Sequence, residues 1–279
     1  MASLQNLKKH LQSIRTTGQL AGAMKTVSAA KYSKISALQA SYASYASAAR
    51  ELRERFGDAF QAALPCANPE APDCFVILSS NRGLCGGYHA ELFSYTAKLL
   101  REHDRPYVSV TCGKMAEHWF AAKKLAVSRA YPLPDVPAYG DVRELAEDLL
   151  TGYREGEIAS VRLVYQHFQN MLTQTPGVDV LLPFGAAEAG DPVASDPLCL
   201  PDRDTVARAA GLTCYRSGIY AAVLEAVSGA QAATMMAMRA AYDNAEDSSA
   251  LLESELSRRR QSEVTAGVIE TSVDNHSFE

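Results

Sequence analysis

The stretch that decides the fold is residues 35–56, ISALQASYASYASAARELRERF. Its apolar side chains recur at alternating steps of three and four residues, which is the heptad seam of a helix that packs along another helix. The seam consists of Ile35, Leu38, Tyr42, Tyr45, Ala49, Leu52 and Phe56. A shorter seam with the same steps precedes it at Leu4, Leu7, Leu11 and Ile14. The stretch therefore predicts a long helix that needs a partner helix.

The distribution of proline extends this prediction to both ends of the chain. All twelve prolines lie between Pro65 and Pro201. A proline inside a helix costs about 3 kcal/mol or more, so its absence permits long uninterrupted helices. Gly18 and Gly22 weaken a helix by up to about 1 kcal/mol each relative to alanine. The segment between the two seams is therefore the part least able to be helical by itself.

The carboxyl-terminal stretch, residues 202–279, supplies the partner helix. Its inward positions repeat at steps of 4, 4 and 3, the eleven-residue pattern of a nearly straight or right-handed pair. They are Ile219, Val223, Val227, Ala230, Thr234, Met238, Ala241, Ala245, Ser249, Leu252 and Leu256. The two ends carry complementary charge, since residues 1–60 have a net charge of +6 and residues 202–279 one of −5. We expect the chain ends to form an antiparallel coiled coil.

The middle of the chain alternates strand and helix patterns. Apolar runs predict strands at Cys74–Leu78, Tyr107–Cys112, Val161–Tyr165 and Val178–Leu182, with a weaker strand at Leu125–Ser128. Helices are predicted at His89–Glu102, Met115–Lys123 and Val142–Glu155. This order indicates an α/β fold, with a mostly parallel, Rossmann-like sheet covered on both faces. The predicted domains are a helix over 1–60, the α/β domain over 73–200 and a helix over 202–279.

Composition narrows the class of protein. No run of 18 apolar residues occurs and the amino terminus lacks a secretory pattern, so we expect a cytoplasmic protein without direct membrane insertion. The six cysteines are scattered without a Cys-x-x-Cys pair, which argues against zinc and against a disulfide framework. The basic first helix has an acidic counterpart in the same chain, so nucleic acid is not the expected partner.

The glycine-rich loop Ser79–Tyr88, SSNRGLCGGY, follows the first strand and precedes a helix. Phosphates bind at such places in α/β folds, yet the loop matches neither G-x-G-x-x-G nor a Walker loop. Cys85 lies near a helix start, where a thiol can be activated. No sequence-local base accompanies it, so a structural turn is favoured over an anion site or a catalytic site.

Three separated stretches resemble the gamma subunit of the rotary F-type ATP synthase. They are AMKTVSAAK at 23–31, the RGLCGGY part of the loop at 82–88, and MMAMRAA at 235–241 continuing to DNA at 243–245. A weaker likeness lies at Arg260, Gln261 and Thr265. The match covers nearly the whole chain, although the stretch Gly18–Gly22 is less basic than is usual in the family.

The resemblance implies a central-stalk rotor that couples ion flow through a membrane ring to ATP synthesis or hydrolysis. It implies partners in the alpha, beta and epsilon subunits and the membrane c-ring, on the cytoplasmic face of the cell membrane. Met24 and Lys25 would face the beta subunit, and Arg260, Gln261 and Thr265 would contact the inner surface of the hexamer. It implies a non-catalytic chain without catalytic residues, metal or cofactor.

Two other functions remain open at this point. An α/β enzyme could use the loop 79–88 or Cys85 on a phosphorylated small molecule, and ligand stabilisation of the isolated chain would favour it. A coiled-coil scaffold would self-associate and have no affinity for synthase subunits.

Overall fold

A computed structural model describes residues 4–184 and 199–276. Its contacts divide the chain into two units. The coil unit contains the chain up to Val27 together with the part from Met235 onward, and the sheet unit contains Ser28–Thr234. Helix α1 (Leu4–Ala63) and helix α5 (Arg203–His276) each contribute to both units.

The sheet unit contains five strands in the order β3-β2-β1-β4-β5. They are β1 (Asp73–Leu78), β2 (Tyr107–Cys112), β3 (Arg129–Tyr131), β4 (Ser160–Phe168) and β5 (Gln174–Leu182). The first four are parallel and β5 joins β4 as an antiparallel hairpin. Connecting helices are α2 (Tyr88–Glu102), α3 (Lys114–Lys123) and α4 (Arg143–Glu155), the last after a 3₁₀ turn at Tyr139–Val142. The expected α/β class and mostly parallel sheet are confirmed.

Strand β1 shows why an apolar run became a central strand. All six of its residues are buried, because both faces of the sheet are covered. Val76 and Leu78 face the larger core with α4, α1 and α5, while Phe75 and Ile77 face a smaller core with α2 and α3. This alternation is the two-residue period of a strand.

The weak strand predicted at Leu125–Ser128 is wrong in position, since β3 begins at Arg129. Residues 124 and 125 instead close α3: Lys124 adopts φ +55° and its N–H bonds Ala121 O, while the N–H of Leu125 bonds Phe120 O. Backbone groups used in a helix end cannot pair in a sheet, so the strand starts only after that turn.

Helix α1 continues through Gly57, although glycine disfavours a helix, and ends at Ala63. The rings of Phe56 and Phe60 stack with centroids 5.9 Å apart, and both side chains are buried in the sheet unit's core. Burial of a phenylalanine is worth about 1.5–3 kcal/mol, which exceeds the helix penalty of one glycine.

The predicted seam positions in the sheet unit are buried or half-buried, except Tyr45, which is 44% exposed. Ile35 and Ala49 of α1 are buried, as are Ile219 and Val223 of α5. The Cys214 thiol contacts Ala49 O at 3.0 Å, and the Tyr42 hydroxyl bonds Ser217 Oγ at 2.9 Å. Rising numbers on one helix meet falling numbers on the other, so the two helices are antiparallel here.

Helix α5 includes a window of 18 residues with a mean hydropathy of 1.2, apolar enough by composition to cross a membrane. However, 61% of that window is buried inside the protein. The apolar side chains are therefore accounted for by core packing.

Candidate functional site

The coil unit places the amino-terminal half of α1 against the last part of α5. Arg15 forms an ion pair with Glu253, and a Cβ placed on Gly18 would lie 3.0 Å from the Cβ of Ala245. A Cβ on Gly22 would lie 3.1 Å from Tyr242 Cδ2. The pairing is antiparallel in this unit also.

Gly18 and Gly22 lie one helical turn apart on the face that meets α5. Contacts of 3.0–3.2 Å are tighter than a Cβ ordinarily makes, so a larger residue at either position would require Ala245 or the Tyr242 ring to shift by a few tenths of an ångström. The glycines that weaken an isolated helix thus permit close packing of two. This tertiary contact explains why the segment is helical despite its composition.

Met24 and Lys25 follow Gly22 within the next helical turn and are half-buried. The Lys25 ammonium is 4.9 Å from the centroid of the Tyr242 ring, within the range of a cation–π contact. The Tyr242 hydroxyl donates to Glu246 Oε1 at 3.0 Å. Lys25 is therefore attached to the partner helix within its own unit and is not a freely solvated lysine.

Arg260, Gln261 and Thr265 are exposed on the last part of α5. The Thr265 hydroxyl donates to Gln261 O at 2.8 Å, a bond within the helix that leaves the outer surface available. Arg260 follows Tyr242 by eighteen residues, which corresponds to about 27 Å along a helix axis. The predicted contact residues therefore form two groups at different levels of the coil unit, not one site.

The loop 79–88 holds the start of α3 in the sheet unit. The first three backbone N–H groups of that helix bond three successive loop residues: Lys114 N to Asn81 Oδ1 at 3.2 Å, Met115 N to Ser80 O at 3.1 Å, and Ala116 N to Ser79 Oγ at 2.9 Å. The first N–H groups of a helix have no partner within the helix and can bind an anion. Here the loop accepts their hydrogen bonds instead.

The end of the same loop packs on α5. Tyr88 is buried and its hydroxyl donates to Ala226 O at 2.7 Å, while its ring lies where a Cβ on Gly229 would be 3.2 Å away. Cys85 and Tyr88 form a small apolar cluster with Ala230. The loop thus joins the carboxyl end of β1 to both α3 and α5.

Comparison with known proteins agrees with this arrangement. The ATP synthase family model matches residues 3–272. The ATP synthase gamma chain of Moorella thermoacetica is 31% identical over 97% of this chain and 97% of its own length. That of Pelotomaculum thermopropionicum is 29% identical with the same coverage.

The chain belongs to the ATP synthase gamma-chain family. As a gamma chain it is a central-stalk subunit of ATP synthase and not the subunit that performs catalysis. The rotor of the Euglena gracilis mitochondrial ATP synthase has the same fold, with a TM-score of 0.64 at 14% identity, over 94% of this chain and 98% of that one. The Tetrahymena thermophila central stalk gives a TM-score of 0.59 at 17% identity, over 80% and 99%.

The enzyme alternative is not favoured for this gamma chain. Burial raises the pKa of the Cys85 thiol, which is the opposite of activation. The neighbouring His89 is buried, its pKa is lowered by that burial, and its Nε2 lies 2.9 Å from Ser80 Oγ. Among residues 4–184 and 199–276, no group of three His, Cys, Asp or Glu side chains is placed to hold a metal ion.

Sequence reasoning missed a polar cluster on the β4–β5 hairpin. The Tyr165 hydroxyl donates to Asp179 at 2.7 Å, and the Phe168 N–H donates to Glu225 of α5 at 2.7 Å. His167 lies between the two acids, 3.6 Å from Asp179 and 3.8 Å from Glu225. The cluster borders a cavity of about 550 Å³ between the hairpin, α1 and α5. The alternation of Tyr165 and His167 on one face of β4 was its only signal in the sequence.

Proposed function

We propose that this gamma chain is the rotating shaft of a proton-translocating ATP synthase. It couples ion flow through the membrane c-ring to ATP synthesis or hydrolysis in the hexamer of alpha and beta subunits, and it also contacts the epsilon subunit. The complex is located at the cytoplasmic face of the cell membrane. The observation that carries the proposal is the close antiparallel pairing of α1 and α5 in a chain of this family.

Energetics favour a stiff helical pair in this role. One elementary charge crossing 100 mV supplies about 2.3 kcal/mol, so several transfers must be combined for each ATP. A shaft that yields under load would dissipate that energy. The absence of a side chain at Gly18 and Gly22 lets Ala245 and the Tyr242 ring pack directly on α1, and this close packing opposes sliding of the two helices.

The partner contacts are assigned to two levels of the coil unit. Met24 and Lys25 face the beta subunit, and Arg260, Gln261 and Thr265 contact the inner surface of the hexamer. The support for Arg260, Gln261 and Thr265 is their exposure on the coil unit. Met24 and Lys25 are only half-buried, and the Lys25 ammonium has a defined position over an aromatic ring. Exposed charges contribute about 0–1 kcal/mol each, which allows such contacts to form and break as the shaft turns.

Reconstitution tests the proposal. The purified chain is combined with the alpha and beta chains of the same organism, and ATP hydrolysis and complex size are measured with and without it. We expect the chain alone to hydrolyse no ATP, and its addition to yield an active complex of increased mass. Activity and mass that do not change on its addition would contradict the proposal.

Variants test the assigned contacts in the same complex. Arg260→Ala and Lys25→Ala are each expected to lower turnover severalfold. Lys34→Ala, an exposed lysine of α1 in the sheet unit, serves as the matched control and is expected to leave turnover unchanged. Equal turnover for all three variants would remove the assigned contacts but not the rotor role.

A further inference from the structure

Tyr242 has three different contacts within the coil unit. Its ring edge lies against Gly22, with Cδ2 and Cε2 at 3.1 and 3.2 Å from the position of a Cβ there. Its ring face lies 4.9 Å from the Lys25 ammonium, and its hydroxyl donates to Glu246 at 3.0 Å. The ring is thus fixed at its edge and at its hydroxyl, while one face holds the lysine.

We propose that Tyr242 is a positioning residue for Lys25, holding the ammonium at a defined point on the coil surface before a partner subunit arrives. The proposal rests on the proposed function in taking Lys25 as a partner contact. Gly22 contributes to this positioning, because its lack of a side chain leaves the space in which the ring lies.

Positioning by the ring reduces the conformational entropy that the Lys25 side chain loses when it binds a partner subunit. A free lysine samples many rotamers and loses them when it binds, whereas a lysine already held by a ring loses fewer. An exposed cation–π contact changes an equilibrium by about two- to fivefold. This is the size of the effect expected from removing the ring.

The Glu246 hydrogen bond keeps the ring in place. A tyrosine hydroxyl is protonated at neutral pH and can donate this bond, and the Glu246 carboxylate raises the pKa of Tyr242 further. Tyr242→Phe loses this bond but retains the aromatic face. It is therefore the conservative variant, and it is expected to keep most of the effect on Lys25.

The first experiment detects the contact directly in the full-length chain. Lysines are reductively methylated with ¹³C-formaldehyde, which preserves their charge, and the Lys25 signal is identified by its loss in Lys25→Arg. Ring currents shift protons above an aromatic face upfield. We expect the Lys25 signal upfield of that of Lys9, an exposed lysine of the same helix, in the wild-type chain and in Tyr242→Phe.

Two variants remove this shift by different routes. Tyr242→Leu deletes the ring, and Gly22→Ala retains it but displaces it by steric contact while favouring the helix. Both are expected to move the Lys25 signal toward that of Lys9. A Lys25 signal that is unmoved in both variants would overturn the positioning role, whatever the function of the chain.

The second experiment separates positioning from simple structural support. In the reconstituted complex, Tyr242→Leu is expected to lower ATP turnover about two- to fivefold when Lys25 is present, and to have no further effect in a Lys25→Ala background. An equal loss in both backgrounds would overturn the proposal. If Lys25→Ala itself leaves turnover unchanged, the partner role of Lys25 fails, while the first experiment alone decides the Tyr242–Lys25 contact.

Discussion

Replacing Tyr88 with phenylalanine tests how the loop 79–88 holds α5. The hydroxyl is buried and lies 2.7 Å from Ala226 O, so Tyr88→Phe removes one internal hydrogen bond and keeps the ring. A net hydrogen bond is worth about 1 kcal/mol, so the free energy of unfolding is expected to fall by that amount. Tyr88→Leu also loses ring contacts with α5 and is expected to cost about 3 kcal/mol.

The assay is urea denaturation of the full-length chain followed by far-ultraviolet circular dichroism. Tyr107→Phe is the matched control, since Tyr107 is 37% exposed and its ring contacts with Phe75 and His103 survive the change. Its effect is expected to stay within about 0.5 kcal/mol. Equal unfolding free energies for Tyr88→Phe and Tyr107→Phe would refute the reasoning, because the buried hydroxyl would then contribute nothing.

Three further predictions concern the sheet unit. Gly113 has φ +88°, and a Cβ there would overlap the carbonyl oxygen of Ser79. Gly113→Ala is therefore expected to lower the free energy of unfolding in urea by about 3 kcal/mol or more. Gly140 has open space around it, so Gly140→Ala is the control and is expected to have little effect. Burial lowers the pKa of His89, so below about pH 6.5 the unfolded chain takes up a proton that the folded chain does not. The free energy of unfolding is therefore expected to fall between pH 7.5 and 5.5, and to fall less steeply in His89→Gln. Equal slopes for the two proteins would contradict this. Cys85 is buried and the pKa of its thiol is raised, whereas Cys66 is partly exposed. In the folded chain, iodoacetamide is therefore expected to alkylate Cys85 more slowly than Cys66, as measured by peptide mass spectrometry. Similar rates for the two thiols would contradict the burial of Cys85.

Local sequence patterns predicted the first strand correctly but misplaced the third. The apolar run at Cys74–Leu78 predicted a buried strand because a strand covered on both faces admits only such side chains. The third strand was misplaced because Lys124 and Leu125 complete the end of α3, and a backbone group can pair only once. Propensity alone could not distinguish these two uses of an apolar segment.

The candidate contact residues were identified by resemblance to the family, whereas the residues around them are known only from the structure. Met24 and Lys25 were identified by a short motif, but neither the ring beneath the ammonium nor the role of Gly22 has a local signal. Tyr242 follows Lys25 by more than two hundred residues. Only the pairing of distant helices brings these side chains together.

The amino-acid sequence by itself determined the helical ends, their antiparallel pairing, the order of strands and helices, and the gamma-chain family, because these follow from periodicity, proline placement and short motifs. The tertiary structure decided what each special residue does. Gly18 and Gly22 became points of close helix approach, the loop 79–88 became the cap of α3 and the attachment of α5, and Tyr165, His167, Asp179 and Glu225 became one cluster. The physical reason is that periodicity is a property of neighbouring residues, whereas close approach and hydrogen-bond pairing depend on residues far apart in the chain.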